Sequence, residues 1–552
     1  MIVLGLNGWT ESTHDPSAAL VVDGEVVGFV EEERLNRVRH APGMVPKLAV
    51  QWVLREAGIG LDDVDALAYG WDLPRYGRIR NERWDLADRD FVRTVTGMEP
   101  RRTPKVHWVS HHQAHAASVY LRSGLPAAAV VVVDGRGDDE SISVFRARGH
   151  ELELVRAWSF HASLGIFYRE VSVHCGFGRF DAGKTMGLAS YADPVGDLPL
   201  QWRDGDIVST VPAQPRARDV HEQWRRYLVN RFGPGARVPT RYDELRSRRA
   251  SAPTATELLK PHVAAWAQET VNTTLESLAD FAIQITGEHA LCVSGGVALN
   301  CVANGRLVER GFDLHLEPTP DDSGVALGAA LLVAARAGDP VRGDARADLG
   351  PRYDSAQVGS YLAELGWPAK ELDDPASTAV ERLGRGQVLG WFQGRAEAGP
   401  RALGHRSILA LPAIAAHHDR VNGIKRREKW RPFAPALLHD ESRYLFGRDV
   451  DSPYMQQSFP LTDQAGIDNP AVTHVDGTAR PQTVRPGAGR YADLLCGLRE
   501  QHGHGVVLNT SFNGPGEPIV CTPEDALRAF ASMPLDALII ENYLVERKNV
   551  GR

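Results

Sequence analysis

The sequence predicts an α/β protein of two domains, the first built from a duplicated strand–hairpin–helix unit. Three observations predict it. The order strand, hairpin, helix, strand, read over residues 1 to 71, begins again at residue 127. A Gly-Gly turn follows an apolar strand within 289 to 307. A stretch broken by Gly, Pro and charge, "ARAGDPVRGDARADLGPRYDS" at 335 to 355, then separates this part from a region of different composition.

In chain order, "MIVLGLN" reads as a strand, and "SAALVVDGEVVGFVEEER" as a hairpin turning at Asp23-Gly24. "VPKLAVQWVLREAG" has helical spacing, and "VDALAYGW" is again a strand. The second copy, "AAAVVVVDGRGDDESISVFRARGHELELVRAW" at 127 to 158, gives a strand, a Gly-containing acidic loop, and a hairpin turning at Gly149-His150. "HALCVSGGVALNCVANGRL" then places Gly295 and Gly296 between a strand and a helix, where the backbone can approach a ligand and free N–H groups suit an anion. Residues 196 to 255 are rich in Arg and Pro and read as a solvated insertion over the cleft.

Composition narrows the function. The 552 residues are 43% hydrophobic and 24% charged, with a formal charge of -8, which disfavours nucleic acid as the main partner. The five cysteines are scattered without a C-x-x-C pair and read as buried thiols of a reducing cytosol. No basic segment precedes an apolar run at the start. The longest apolar run, "GVALGAALLVAA", is shorter than the roughly 20 residues of a membrane span. Both features place the protein in the cytoplasm.

Two segments carry chemistry. "VSHHQAHAAS" sets His111 and His115 one helical turn apart, a spacing shared by metal ligands and by one packed and one solvated helical histidine. Gln113 and Ala114 fill the gap, so the H-E-x-x-H peptidase pattern and its general base are absent. Between Arg395 and Arg431, seven arginines and two lysines face three acids. Within "AGPRALGHRS" the short neighbours of Arg401 and Arg406 suit guanidinium groups converging on an oxyanion. "VVLNTSFNGPGEPIV" adds Asn509, Thr510, Ser511 and Asn513 before a tight turn, completing a predicted phosphate-handling site.

The duplicated unit resembles the actin, sugar-kinase and heat-shock ATPase fold (ASKHA), in which two like halves close on a cleft. The segments "GLNGWTESTHDPSAALVVDGEVVGFVEEERLNRVRH", "HHQAHAAS", "VVDGRGDDES", "GKTMGLASYAD", "SGGVALN", "GPRALGHRS", "KWRPFAPALL" and "LNTSFNGPGEPIV" together resemble the O-carbamoyltransferases of the nodulation-factor and cephamycin type. The resemblance runs from residue 1 to about 547 and is weakest over 72 to 104 and 196 to 255.

That resemblance implies an N-terminal actin/sugar-kinase-like transfer domain at 1–345 and a C-terminal YrdC-like domain at 356–552. The C-terminal domain is expected to make carbamoyl adenylate from carbamoyl phosphate and ATP, with Mg²⁺ accompanying ATP. The adenylate then passes internally to the N-terminal domain, which moves the carbamoyl group to a hydroxyl of a small natural-product acceptor such as an antibiotic. Enclosure protects carbamate and the mixed anhydride from water.

By the same resemblance His14, in the loop after the first strand, is the general base. His111, His115, Asp134 and Asp322 hold iron, expected as Fe²⁺, with Asp321 the neighbouring alternative to Asp322. Arg39, Lys184, Gly187, Gly295, Gly296 and Asn300 hold the adenylate. Arg39 stands where tobramycin-type members carry Lys, so a fork replaces a point charge. Arg401, Lys425, Arg431, Arg480, Asn509 and Ser511 bind carbamoyl phosphate and ATP, with Arg406, Arg426 and Arg427 secondary. For the acceptor, Glu11 and Asp15 suit a polycation, whereas Trp9, Trp71, Trp84 and the 196–255 region suit an apolar molecule. Two rival functions share part of this pattern: tRNA threonylcarbamoylation, which wants a basic face, and an actin-like chaperone or sensor ATPase, which leaves "GPRALG" and "NTSFN" unexplained.

Overall fold

Two buried helices lie at the centre of the N-terminal half, and the strand topology explains why. The computed structural model describes residues 1–9, 13–79, 86–212, 217–236 and 260–547. Strands β1 (Ile2–Asn7), β2 (Ser17–Val22), β3 (Glu25–Glu31), β4 (Ala66–Tyr69) and β5 (Lys105–Trp108) form a sheet of order β3-β2-β1-β4-β5. Strands β6 (Ala127–Val133), β7 (Glu140–Arg148) and β8 (Glu151–Ser159) join β11 (Ala290–Ser294) and β12 (Asp313–His315), in the order β12-β11-β6-β7-β8. Each sheet is an antiparallel meander of three strands extended by two parallel ones, so the expected duplication is present in the strand order. The hairpin turns fall where the sequence puts them, with positive φ at Asp23, Gly24 and Gly149.

The helix after each sheet's last parallel strand packs across the interface. Helix His111–Ser123 follows β5 yet lies against β6 and β11, and helix Gly324–Arg336 follows β12 yet lies against β1, β2 and β4. This exchange brings the N-terminal ends of the two helices together. It also explains the apolar run "GVALGAALLVAA", which is buried on every side and packs on helix His111–Ser123 and on β1, β2 and β4. Close approach requires glycine: a Cβ on Gly328 would sit 1.9 Å from the Ala114 carbonyl oxygen, and one on Gly5 2.0 Å from that of Ala326.

The 196–255 stretch is less solvated than expected. It contains a hairpin, β9 (Leu200–Arg203) with β10 (Asp206–Ser209), and helix Ala217–Phe232, whose Val220, Trp224 and Leu228 are buried in the core outside the second sheet. Burying Trp224 is what keeps that helix down. Residues 237–255 of the stretch lie outside the described residues.

After the irregular segment that follows Arg336, an eight-stranded mixed sheet runs in the order β13-β22-β21-β14-β15-β20-β16-β19. Its strands are β13 (Ala369–Glu371), β14 (Leu389–Phe392), β15 (Arg406–Ala410), β16 (Ala434–Leu438), β19 (Gln482–Val484), β20 (Val506–Ser511), β21 (Ala537–Ile540) and β22 (Tyr543–Glu546). Helices Ser355–Glu364, Ala416–Ile424 and Pro523–Ser532 cover one face, and Pro375–Gly384 and Arg490–His502 the other. A small hairpin, β17 (Phe459–Pro460) with β18 (Thr478–Ala479), faces the N-terminal part. Among the described residues no helix is long and apolar enough to cross a membrane.

The helix exchange predicts a reversal of sign. At an exposed helix position Gly→Ala gains up to about 1 kcal/mol, whereas Gly328→Ala should cost about 1–3 kcal/mol, because the new methyl group meets backbone. Urea denaturation measures it; a stabilised variant would mean that the helices are not in contact.

Candidate active site and metal centre

The exchanged helices deliver ligand atoms from both halves to one point. Nε2 of His115 lies 3.2 Å from Nε2 of His111. Nε2 of His111 is 3.6 Å from both Asp134 Oδ2 and Asp322 Oδ1, and His115 Nε2 is 3.8 Å from Asp322 Oδ1. One ligand atom from each of the four lies within 4.8 Å of every other, and all four residues are buried. The ring of His111 is oriented from behind, with Nδ1 3.1 Å from the Gly70 carbonyl oxygen and Trp71 packed at a centroid distance of 3.9 Å. A carbonyl can only accept, so Nδ1 carries the proton and Nε2 presents its lone pair. Behind His115, Ser294 Oγ lies 3.5 Å from Nδ1 and donates to Glu317 at 3.1 Å.

These residues fit a borderline divalent cation. Two imidazoles and two carboxylates converge, and the negative charge of the carboxylates dominates the surroundings. Burial opposes protonation of His14 and His111, yet the aspartates, Asp322 foremost, overcome it and raise the rings to about 9 and about 10. A divalent cation would neutralise that charge.

The structure distinguishes Asp322 from Asp321. Asp321 instead accepts from the backbone N–H and hydroxyl of Ser323, and burial raises it to about 7. His112 turns away to Ser143 Oγ at 2.8 Å. Asp138 escaped notice in the sequence: its carboxylate accepts from the His111 N–H at 2.8 Å and the Asp72 N–H at 3.1 Å, capping a helix whose own Ser110 does not. Among the acids of "DGRGDDES", no spacing singles it out.

His14 stands beside the cluster, its Nδ1 3.8 Å from Asp322 Oδ2. The same Nδ1 meets Asp15 Oδ2 at 2.8 Å, and Asp15 Oδ1 meets His40 Nδ1 at 2.8 Å. Asp15 therefore bridges two imidazoles and aims Nε2 of His14 as the free nitrogen. Phe180 braces the group, stacked on His40 at 4.5 Å and edge-on to His14 at 5.3 Å. Asp15 and His40 both hold positive φ, at 53° and 60°, and Asp15 N–H donates to the His40 carbonyl. Strain of this kind concentrates at functional sites. With both oxygens engaged, Asp15 is not available to meet a cationic acceptor. Trp71 is likewise a buried wall of the metal cluster and not an apolar platform; Glu11 and Trp84 lie outside the described residues.

The predicted adenylate residues divide. The Gly296 N–H donates to Asp134 Oδ1 at 3.1 Å, so the Gly-Gly turn first serves the metal ligand. A Cβ on Gly295, at φ 91°, would lie 2.4 Å from the Val133 carbonyl oxygen. Asn300 caps helix Cys301–Glu309 and exchanges hydrogen bonds with Gln268, which leaves its amide engaged inside the protein. Gly187 packs on Trp430 and Pro432. Lys184 reaches Asp181 and Glu428, each at 3.4 Å.

The arginine-rich segment forms a cation cluster at the junction of the two parts. Arg401 and Arg480 make no ion pair among the described residues, and Arg401 Nε is buried without an acceptor. Burial, then Arg480, pulls Arg401 down to about 9, while Asp321 is close enough to oppose this. Burial and then Arg427, Arg431 and Arg39 depress Lys425, whose Nζ donates to Ser511 O at 2.5 Å and Asn513 Oδ1 at 3.0 Å. Arg39 thus joins the cluster from the N-terminal side, with Asp181 3.8 Å away.

Two residues have other duties. Arg406, fully buried, donates to the carbonyls of Gln393, Gly394, His405 and Pro351 and stacks on Phe392 at 3.5 Å; it braces the core and cannot also hold phosphate. Asn509 donates to Ala402 O and Gln482 Oε1, supporting the Arg401 loop from beneath. The other end of that loop is clamped across the junction, where Gly399 N–H donates to Glu31 Oε1 at 2.6 Å and Gly399 O accepts from Arg34 at 2.5 Å.

Family models for the carbamoyltransferase N-terminus and C-terminus match residues 84–331 and 380–547. The nodulation protein NolNO of Sinorhizobium fredii is 33% identical over all of this chain and 83% of its own. The chain belongs to the carbamoyltransferase family. This carbamoyltransferase is also 35% identical to the 3'-hydroxymethylcephem-O-carbamoyltransferase of Amycolatopsis lactamdurans, over 97% of this chain and 98% of that one. Among solved structures, full-length HypF in its phosphate- and nucleotide-bound form overlaps 62% of this chain and 47% of its own, at 14% identity and a TM-score of 0.36.

The four-residue cluster is expected to bind a divalent cation: His111→Ala and Asp322→Asn should each abolish that binding, whereas His112→Ala should keep it; elemental analysis of the proteins after metal loading and desalting measures this. His40→Ala should lower kcat for transfer about 10- to 100-fold with little change in KM. His40→Asn, whose amide can donate to Asp15, should recover part of it.

Proposed function

We propose that this carbamoyltransferase couples two reactions across the junction. In the C-terminal domain, water hydrolyses carbamoyl phosphate to carbamate and inorganic phosphate, and a carbamate oxygen attacks the α-phosphorus of ATP and expels pyrophosphate, leaving carbamoyl adenylate. In the N-terminal domain, an acceptor hydroxyl attacks the carbamoyl carbon, AMP leaves with the bond electrons, and His14 Nε2 takes the hydroxyl proton. The acceptor is a hydroxylated small molecule, and a natural product of the antibiotic type is the class we favour.

One observation carries this reading: the loop that presents Arg401 is clamped to the N-terminal part, Gly399 donating to Glu31 and accepting from Arg34, and Lys184 lies 3.4 Å from Glu428 of the cation-rich segment. The place for phosphates and the place of His14 therefore adjoin, and a labile mixed anhydride need not enter bulk water. Arg401, Arg480, Arg431, Lys425 and Ser511 would neutralise and orient phosphate oxygens, the main requirement of phosphoryl transfer, with Mg²⁺ accompanying ATP. Arg39 and Lys184 would follow the adenylate across the junction.

His111, His115, Asp134 and Asp322 would hold the metal, for which we propose Fe²⁺; when bound it supplies positive charge to polarise the activated carbamoyl group. Trp71, Gly70 and Asp138 fix the His111 ring and backbone, and Asp15 with His40 sets the tautomer of His14. The formal charge of -8 disfavours tRNA as acceptor.

Incubation with ATP, carbamoyl phosphate and a panel of hydroxylated antibiotics should give AMP, pyrophosphate and a mass-shifted product. Absence of pyrophosphate would overturn the carbamoyl-adenylate route. His14→Ala should reduce carbamoylated product by about 10²- to 10⁴-fold while pyrophosphate still forms; loss of both would refute the division of labour between domains.

A further inference from the structure

Arg37 belongs to neither reaction site, yet it is bonded toward both. It closes helix Glu32–Asn36 in the left-handed region, at φ 61°. Among the described residues five other helices end on a left-handed residue, and in each of them that residue is glycine. An arginine is strained where glycine is not, so the reason for it lies in its side chain.

That side chain crosses the junction. Its two terminal nitrogens donate to successive carbonyls of the C-terminal domain, Ile519 O at 2.7 Å and Pro518 O at 2.8 Å, and Nε lies 3.3 Å from Asp525 Oδ1. Both carbonyls stand on one limb of the loop 512–520, which the Val520 N–H closes onto Phe512 O at 2.9 Å. The other limb belongs to the cation cluster. Ser511 Oγ donates to Asn513 Oδ1 at 2.6 Å, Lys425 Nζ donates to the same oxygen, and Asn513 Nδ2 donates across the loop to Glu517 O at 2.9 Å. The backbone of Arg37 leads the opposite way, to His14. Glu33 accepts the Arg37 N–H through its carbonyl at 3.0 Å and the His40 N–H through Oε2 at 2.5 Å, so one residue fixes the spacing of the two. His40 holds Asp15, and Asp15 holds His14.

We propose that Arg37 is a positioning residue for both half-reactions: it fixes the loop that carries Ser511 and Asn513 against the turn that carries His40, and so sets the phosphate-binding groups and His14 in one geometry. This rests on the two-step reading above. The guanidinium is a planar fork engaged in three directions, by two carbonyls and a carboxylate, which leaves the loop little freedom to slide; an ammonium would turn about a single contact. A small displacement at either end is costly, because both steps depend on where their reacting groups are held.

The test uses the full-length protein with ATP, Mg²⁺ and carbamoyl phosphate. Without acceptor, pyrophosphate release gives the KM for carbamoyl phosphate, which should rise about 10-fold in Arg37→Gln, the value of one charge-assisted contact. An unchanged KM overturns the proposal, whether or not any acceptor is turned over. With the antibiotic of the panel above that is carbamoylated fastest, pyrophosphate and product are counted in the same samples at saturating ATP and carbamoyl phosphate. Arg37→Gln should lower product per pyrophosphate about 10-fold, because the adenylate is made but meets a misplaced base. Arg37→Lys, which keeps the charge without the fork, should recover part of that ratio. In a His40→Ala background the Gln substitution should change the ratio less than about 2-fold, since the path through His40 is already broken. An equal fall of pyrophosphate and product, as a merely structural role would give, overturns the proposal, and so does a full 10-fold loss on top of that of His40→Ala. If the wild-type protein releases no pyrophosphate, it is the carbamoyl-adenylate reading that fails.

Discussion

Two buried aspartates from opposite halves of a duplicated domain, Asp134 and Asp322, are held facing one another, and most of the site follows from offsetting their repulsion. Burial and then the charge of Asp322 push Asp134 up, and the hydrogen bond of His111 with the imidazoles of His115 and His111 holds it down at about 2. Bringing two such groups together has a steric condition. The helices ending at this point must exchange sheets and touch through backbone, which only glycine at 328 allows. A dense negative centre in a dry interior is costly unless it is paired, and the four residues supply the donor set of a divalent metal.

Much of this was legible in the sequence because it is periodic or local. The strand–hairpin units repeat with their turn residues in place, and the i,i+4 histidines lie on one face of a helix. The cation-rich segment could be read as an oxyanion site because Arg401 stands among residues too small to shield it. Resemblance to the family then indicated which carboxylates to look at, which spacing alone could not do.

The remainder depends on contacts between residues far apart in the chain. Arg406 has the same local setting as Arg401, yet one strand places it beneath four carbonyls while the other stays without a partner. Asn300 at a helix start and Asn509 near the end of a strand are amides in positions that suggest ligand binding, but Gln268 and Gln482 claim them. Asp138 and Asp15 act through geometry rather than type: one caps a helix that begins 27 residues earlier, the other links two histidines across a strained pair of loops. The insertion at 196–255 looked solvated because it is rich in Arg and Pro; a few buried side chains, Trp224 above all, decided otherwise.

Gly399 has a wider consequence. Its peptide N–H and carbonyl are both grasped by Glu31 and Arg34, and a Cβ there would lie 2.1 Å from the Pro318 carbonyl oxygen, four residues before Asp322. The loop that presents Arg401 is therefore folded as much by the first part of the chain as by the second. Grafting the C-terminal part onto another relative's N-terminal part would leave this loop without the pair that shapes it, so the two parts are inherited, and would have to be engineered, as a matched set.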